Sequence, residues 1–294
     1  MNEVDNFLNY LLSDRGYSER TIRTYEASLI SFETFYEHLD ELLTWQTIDA
    51  DVVRQWMANE MKRGNDARTV AKELSALRSF YKYLLRMGKI EKNPMYRIQN
   101  PKASQKLPTF LRQKEVDQLF DDVTFPDNYE GKRDYCMLMT FYHTGMRLSE
   151  LIGLNVADVN LERNELKVTG KRNKQRIIPF GEELHKELVS YLACLSALGE
   201  VEDNALFLGP KKKRISVSHV EKTVHHYLSL VTTQKKKSPH VLRHTFATAM
   251  LNNGADLEAI KELLGHESVT TTEVYTHTTL ADLEKEYKLA HPRA

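Results

Sequence analysis

The sequence has little of what several classes of protein require. Only two of its 294 residues are cysteine, so it has neither a disulfide framework nor a CxxC metal site. No run approaches the ~20 apolar residues that span a bilayer, and the acidic stretch from Met1 to Asp5 lacks the apolar core of a signal peptide. We therefore expect a cytoplasmic protein without membrane contact.

The chain also lacks net charge, because 41 Lys and Arg residues balance 41 Asp and Glu residues. Proteins that bind nucleic acid usually carry a basic patch or excess, so the total argues against such a partner. The distribution argues for one, because basic clusters at 171–176, 211–214 and 235–237 all fall in the second half. Any one cluster fits a solvated loop equally well, but together they favour a phosphate-binding face.

Hydrophobic periodicity predicts a mainly α-helical chain of two domains. Residues 1–92 hold four apolar stripes at helical spacing, which predicts a four-helix domain. Residues 93–109 are polar and interrupted by Pro94, Pro101 and Pro108, as is typical of an interdomain linker.

The second predicted domain, 110–294, is helical except for one segment. Short alternating runs between residues 159 and 178 predict a small antiparallel sheet of three strands. Its turns fall at 163–164 and 172–173, which places Lys171 at the tip of a hairpin.

Two arginines and a histidine of this domain are candidates for chemistry. Arg147 shortly follows Gly145, which lets the backbone turn sharply, and Arg243 lies three positions after His240 on the same helical face. Two guanidinium groups suit the two non-bridging oxygens of one phosphate. Structural roles remain open, since an arginine at a helix start is usually a surface residue. His244 fits best as a hydrogen-bonded core group.

Three further residues complete the set. His266 follows Gly265 and an apolar pair, so it is presented at a helix end, and Lys171 on its hairpin suits a mobile proton donor. Tyr275 is one of 14 tyrosines, so packing is the plain interpretation. Neighbouring Arg and His charges would nevertheless ease its ionisation from a reference pKa near ~10. The whole set predicts strand cutting through a covalent phosphotyrosine.

The sequence does not match the zinc-protease motif HExxH or the nucleotide-binding P-loop. The HExxH pattern that begins at His266 has no second histidine. Gly170-Lys171 is not a P-loop, because Glu165 stands at the first glycine position and Arg172 at the Ser/Thr position. We expect no metal and no cofactor.

Together these residues resemble the tyrosine recombinase family, also called phage integrases, and within it the Xer recombinases. The resemblance covers essentially the whole chain and is strongest in four segments, which are 142–151, 169–171, 240–248 and 263–277. The ending 291–294 and the compact length resemble the XerD branch.

The resemblance implies a two-domain clamp. It has an N-terminal four-helix SAM-like core-DNA-binding domain and a C-terminal helical catalytic domain with a small antiparallel three-stranded sheet. It also implies the catalytic roles. Two arginines would clamp the scissile phosphate, two histidines would donate hydrogen bonds, a lysine would protonate the departing 5′ oxygen, and a tyrosine would form a 3′-phosphotyrosine without metal or ATP. These residues are Arg147 and Arg243, His240 and His266, Lys171, and Tyr275.

The implied partners are a double-stranded DNA recombination site and a second Xer-type recombinase, or a copy of this chain, in a tetramer on two DNA sites. A DNA translocase at the division septum would activate chromosome dimer resolution. The last helix, predicted from Thr279, would pack on its own domain or dock into a neighbouring subunit. Three rivals remain, which are a mobile-element integrase, a type IB topoisomerase and a non-enzymatic DNA-binding protein.

Overall fold

The computed structural model describes residues 2–102, 109–170, 173–199, 204–265 and 280–294. The chain divides into two compact units, Met1–Lys106 and Leu107–Ala294. Each unit has a hydrophobic core of its own. No helix among the described residues is long and apolar enough to cross a membrane.

The first unit contains the four predicted helices. They are α1 Glu3–Ser13, α2 Glu19–Leu39, α3 Ala50–Lys62 and α4 Ala67–Arg86. Side chains cap all four, because Asn2, Ser18, Asp49 and Asp66 accept hydrogen bonds from backbone N–H groups of the first turn. The apolar stripes meet in an aromatic core that includes Phe32, Trp56 and Phe80.

Part of the segment expected to be a linker packs with this first unit. A short 3₁₀ helix covers Pro94–Arg97, and the side chains of Met95 and Ile98 are buried in the core of the unit. Arg78 holds the segment from α4, donating to the carbonyl of Ile98 at 3.0 Å and to the side chain of Asn100 at 2.8 Å. The domain boundaries themselves stay a prediction.

The second unit is mainly helical, as predicted. Its helices are α5 Gln113–Asp117, α6 Tyr129–Thr144, α7 Leu148–Gly153, α8 Glu182–Ser196, α9 Val217–Val231, α10 Pro239–Asn252, α11 Leu257–Leu264 and α12 Leu280–Ala290. A π-helical turn, Gln118–Asp122, continues α5, and a 3₁₀ turn, Val156–Asp158, precedes the sheet. Helix α6 is the centre of the core, and all of its last nine residues are buried.

The predicted small sheet is confirmed. Strands β1 Val159–Asn160, β2 Glu165–Thr169 and β3 Gln175–Pro179 pair antiparallel in the order β1-β2-β3. Asn164 and Asn173 have φ values of 55° and 59° at the predicted turns, a left-handed conformation that asparagine tolerates better than most residues.

Helix α12 packs on its own chain in this structure. It contacts α10, α11 and β3, and Tyr287 is buried with its hydroxyl 3.2 Å from Nδ1 of His143. Beyond the helix, Arg293 forms ion pairs with Glu183 and Asp121. These contacts are those of a single chain, and docking of the helix into a neighbouring subunit stays a prediction.

Candidate active site

Arg147 is the N-cap residue of helix α7 and lies directly after a tight turn. Helix α6 is followed by its C-cap residue Gly145, whose φ of 58° is left-handed and where a Cβ would clash with Phe246. Two residues later, the backbone N–H of Arg147 donates to Oε2 of Glu150 at 2.7 Å. The local sequence thus holds the Arg147 backbone at the start of a helix while 37% of its side chain stays exposed.

Arg243 projects from α10 into the same region and is only 7% exposed. Its guanidinium donates to the carbonyl of Gly145 at 2.7 Å and to the carbonyl of Leu264 at 2.8 Å. Burial and the nearby charge of Arg147 lower the pKa of Arg243 to about 10, so it remains charged at neutral pH. A buried arginine tied to two main-chain oxygens is a rigid cation.

The C-terminal end of α11 brings the two arginines together. Arg147 Nη2 donates to the carbonyl of Gly265 at 2.7 Å, next to the Leu264 carbonyl that binds Arg243. Carbonyls of a final helical turn lack partners within the helix and carry the negative end of its dipole. They therefore suit guanidinium groups, and α11 aligns two cations with one another.

Glu150 and Arg176 complete this network, although neither is among the six catalytic residues predicted from the sequence. Glu150 Oε1 accepts from Arg147 Nη1 at 2.8 Å and from Arg176 Nη1 at 2.9 Å. Burial alone would raise the pKa of Glu150, but hydrogen bonds from Arg176 and Arg147 outweigh it and lower the pKa to about 2. A carboxylate three positions after Arg147 in a helix start was the available signal.

The structure places the two histidines of α10 at its exposed surface. His240 lies in the first turn, and His244 follows one turn later on the same side. The expectation that His244 is a core group is therefore wrong. Its position follows from helical spacing, because Leu242 and Phe246 occupy the buried face. Partial burial, and then the nearby charges of His240 and Arg243, lower the pKa of His244.

Three of the six predicted catalytic residues lie outside the described residues, namely Lys171, His266 and Tyr275. Of the other three, Arg147 and Arg243 are joined through α11, and His240 lies on the helix that carries Arg243.

Two members of the predicted basic clusters are bound to other groups of the same chain. Arg176 binds Glu150, and Arg214 donates to the carbonyls of Ile152 and Leu154 at 2.8 and 3.1 Å. The clusters therefore present fewer cations to a phosphate than their sequence indicates. Among the described residues, no group of three or more His, Cys, Asp or Glu is placed to hold a metal ion.

Comparison with known proteins assigns the chain to a family. Residues 109–281 match the phage integrase family, and residues 4–88 match its N-terminal SAM-like domain. The chain belongs to the phage integrase family of tyrosine recombinases. Membership confirms the predicted resemblance and makes this chain a site-specific DNA recombinase.

Relatives carry the names of two Xer branches. The chain is 38% identical to tyrosine recombinase XerC of Chlorobaculum tepidum, over 98% of this chain and 94% of the relative. It is 34% identical to tyrosine recombinase XerD of Staphylococcus epidermidis, over 99% of both chains. Because both branches are represented at similar identity, the XerD assignment stays a prediction.

Solved structures share the fold. A XerH site-specific recombinase bound to palindromic difH substrate in a post-cleavage complex aligns with a TM-score of 0.73 at 24% identity, covering 96% of this chain and 83% of that one. The Tn1549 transposon integrase in complex with transposon right end DNA aligns with a TM-score of 0.75 at 17% identity, covering 98% and 99%. At these identities the likeness concerns the fold alone.

Proposed function

We propose that this recombinase cleaves and rejoins DNA strands through a 3′-phosphotyrosine on Tyr275. The observation that carries the proposal is that the guanidinium groups of Arg147 and Arg243 donate hydrogen bonds to adjacent carbonyls at the end of α11. Two rigid guanidinium groups match the two non-bridging oxygens of a phosphodiester, and Arg147 is exposed enough for a phosphate to reach it.

The other residues would supply protons and the nucleophile. The Tyr275 hydroxyl would give up its proton to His240 or His266, and its oxygen would bond to phosphorus while the bond to the 5′ oxygen breaks. Lys171 would protonate that leaving oxygen. His240 and His266 would donate hydrogen bonds to the phosphoryl group as charge builds on it. A 5′-hydroxyl from a partner strand would then attack the phosphotyrosine and release Tyr275, so the reaction would need neither metal nor ATP.

The biological role we propose is resolution of chromosome dimers in the cytoplasm by a tetramer on two DNA sites. The XerC and XerD names of the relatives support this role. The second recombinase would be another Xer-type protein or a copy of this chain, and a DNA translocase at the division septum would activate it. A mobile-element integrase of the same family is the alternative.

Covalent capture on DNA tests the chemistry. A DNA site would first be selected from random-sequence DNA by binding to the protein. It would then be placed in a duplex that is nicked beside the cleavage position, so that the short 5′-hydroxyl fragment released by cleavage dissociates and the covalent adduct accumulates. We expect wild type to form an adduct that mass spectrometry maps to Tyr275, equally with and without EDTA, whereas Tyr275→Phe forms none. An adduct on another residue, or joining that survives in Tyr275→Phe, contradicts the mechanism.

A further inference from the structure

We propose that Arg176 is a positioning residue of the recombination site, which aligns the Arg147 and Arg243 guanidinium groups from strand β3. The inference rests on the proposed function, because it assigns Arg176 to the alignment of the phosphate clamp.

The side chain of Arg176 joins three elements through one guanidinium group. Nη1 and Nη2 donate to the two carboxylate oxygens of Glu150 at 2.9 Å each, and Nε donates to the carbonyl of Leu263 at 2.9 Å. This fork-to-fork geometry is specific to arginine, because the ammonium of lysine is a single point charge. Strand β3, helix α7 and the end of α11 are thereby held in one arrangement.

Arg176 also completes a series along the end of α11. Three successive carbonyls, those of Leu263, Leu264 and Gly265, accept hydrogen bonds from Arg176, Arg243 and Arg147 respectively. Two of these arginines are the proposed phosphate clamp. The third is 16% exposed and already bound to a carboxylate of which 1% is exposed, so it holds the end of the helix and not the substrate.

Glycines on both sides of the Arg176–Glu150 pair allow this close packing. A Cβ at Gly265 would lie 2.9 Å from Nη1 of Arg176 and 3.0 Å from its Cζ. A Cβ at Gly170 would lie 3.3 Å from Oε1 of Glu150. These glycines directly precede His266 and Lys171 in the sequence. The same ion pair thus lies against both of the glycines that directly precede proposed catalytic residues.

Loss of Arg176 would release both of its partners. Glu150 would keep only its hydrogen bonds from Arg147 among those described above, and the end of α11 would lose the contact that ties it to the sheet. Both changes act on the groups that orient Arg147. A misplacement of about 1 Å at a reacting centre can cost ~10²-fold in rate.

A substrate without charge at the scissile position distinguishes a positioning role of Arg176 from a role in folding. The rate of strand cleavage would be measured for full-length wild type, Arg176→Gln and Arg176→Lys on the duplex that captures wild type. Each protein would also be tested with a methylphosphonate in place of the scissile phosphate. The methylphosphonate carries no negative charge, so its cleavage depends less on two aligned arginines.

We expect Arg176→Gln to cleave the native duplex ~10²-fold more slowly, with binding to one half-site unchanged. On the methylphosphonate, the loss of cleavage rate of Arg176→Gln relative to wild type should be at least tenfold smaller than on the native duplex. Arg176→Lys should fall between wild type and Arg176→Gln, because it keeps the charge and loses the fork. If Arg176→Gln fails to fold, Arg176→Lys tests the proposal in its place. Its loss of cleavage rate relative to wild type should likewise be smaller on the methylphosphonate than on the native duplex.

Arg133 offers a matched control. It is 2% exposed, donates to the Asp134 carboxylate at 2.9 Å and to the carbonyl of Leu208 at 3.0 Å, and makes no contact with the Arg147 network in the described part of the chain. Arg133→Gln should therefore have the same relative rate on both substrates. The proposal is overturned if Arg176→Gln loses the same fraction of the wild-type cleavage rate on both substrates, or if it cleaves the native duplex at the wild-type rate. Failure of wild type to form an adduct would instead contradict the proposed function.

Discussion

Replacement of Glu150 by glutamine should destabilise the second unit in a pH-dependent way. In the folded protein the pKa of Glu150 is about 2, against an ordinary value of 4.5, because two arginines hold its carboxylate. At ~1.4 kcal/mol per pKa unit, this difference corresponds to about 3 kcal/mol of stability at pH 7. Since 1% of the side chain is exposed, solvent screening weakens the pair little.

The pH dependence follows from the direction of the pKa shift. A carboxyl group whose pKa is lowered on folding contributes stability that is fully present above pH ~4.5 and is lost as the pH falls towards about 2. Glutamine does not titrate. The stability gap between wild type and Glu150→Gln should therefore be about 3 kcal/mol at pH 7 and about 1 kcal/mol at pH 3.

Urea unfolding followed by circular dichroism measures both quantities. We expect the midpoint of Glu150→Gln to be lower than that of wild type at pH 7 and the two midpoints to approach each other at low pH. Glu162, an exposed carboxylate at the β1–β2 turn, gives the control Glu162→Gln, which should change stability by less than ~0.5 kcal/mol. A gap that stays constant from pH 7 to pH 3 would show that the carboxylate charge is not the stabilising feature.

Two other substitutions test the turn and the clamp. Arg147→Ala should slow strand cleavage at least ~10²–10³-fold while DNA binding is largely retained, because it removes one electrostatic donor to the phosphate. Gel shift and adduct formation measure these two properties, and a wild-type cleavage rate would contradict the clamp. Gly145→Ala should lower the melting temperature, because its φ of 58° is left-handed and a Cβ would clash with Phe246 and Leu264. Calorimetry measures this change, and an unchanged melting temperature would show that the turn relaxes without cost.

Local patterns in the sequence were enough to predict most elements of the fold. The stripes of residues 1–92 led to four helices, and the alternating runs between residues 159 and 178 led to three strands in the right place. Both signals are local, because the periodicity of a helix is visible within roughly 11–18 residues and that of a strand within roughly 4–8 residues. The pairing of Arg147 with Arg243 was expected from the resemblance, and the structure joins them through α11.

Long-range packing decided what the sequence could not. Three of the acceptors that hold the arginines are main-chain carbonyls at the end of α11, and every residue has such a carbonyl, so no side-chain pattern marks them. Arg176 has the same appearance in the sequence as the basic residues around it, yet it lies against Glu150, which is 26 positions away.

The sequence by itself determined the helices, the small sheet and the residue types that can bind a phosphate, because these depend on local periodicity and on side-chain chemistry. Only the tertiary structure decided which cations are aligned with one another and which are neutralised inside the protein. That distinction arises because the packing of α7, β3 and α11 brings one carboxylate and three helix-end carbonyls to three particular arginines.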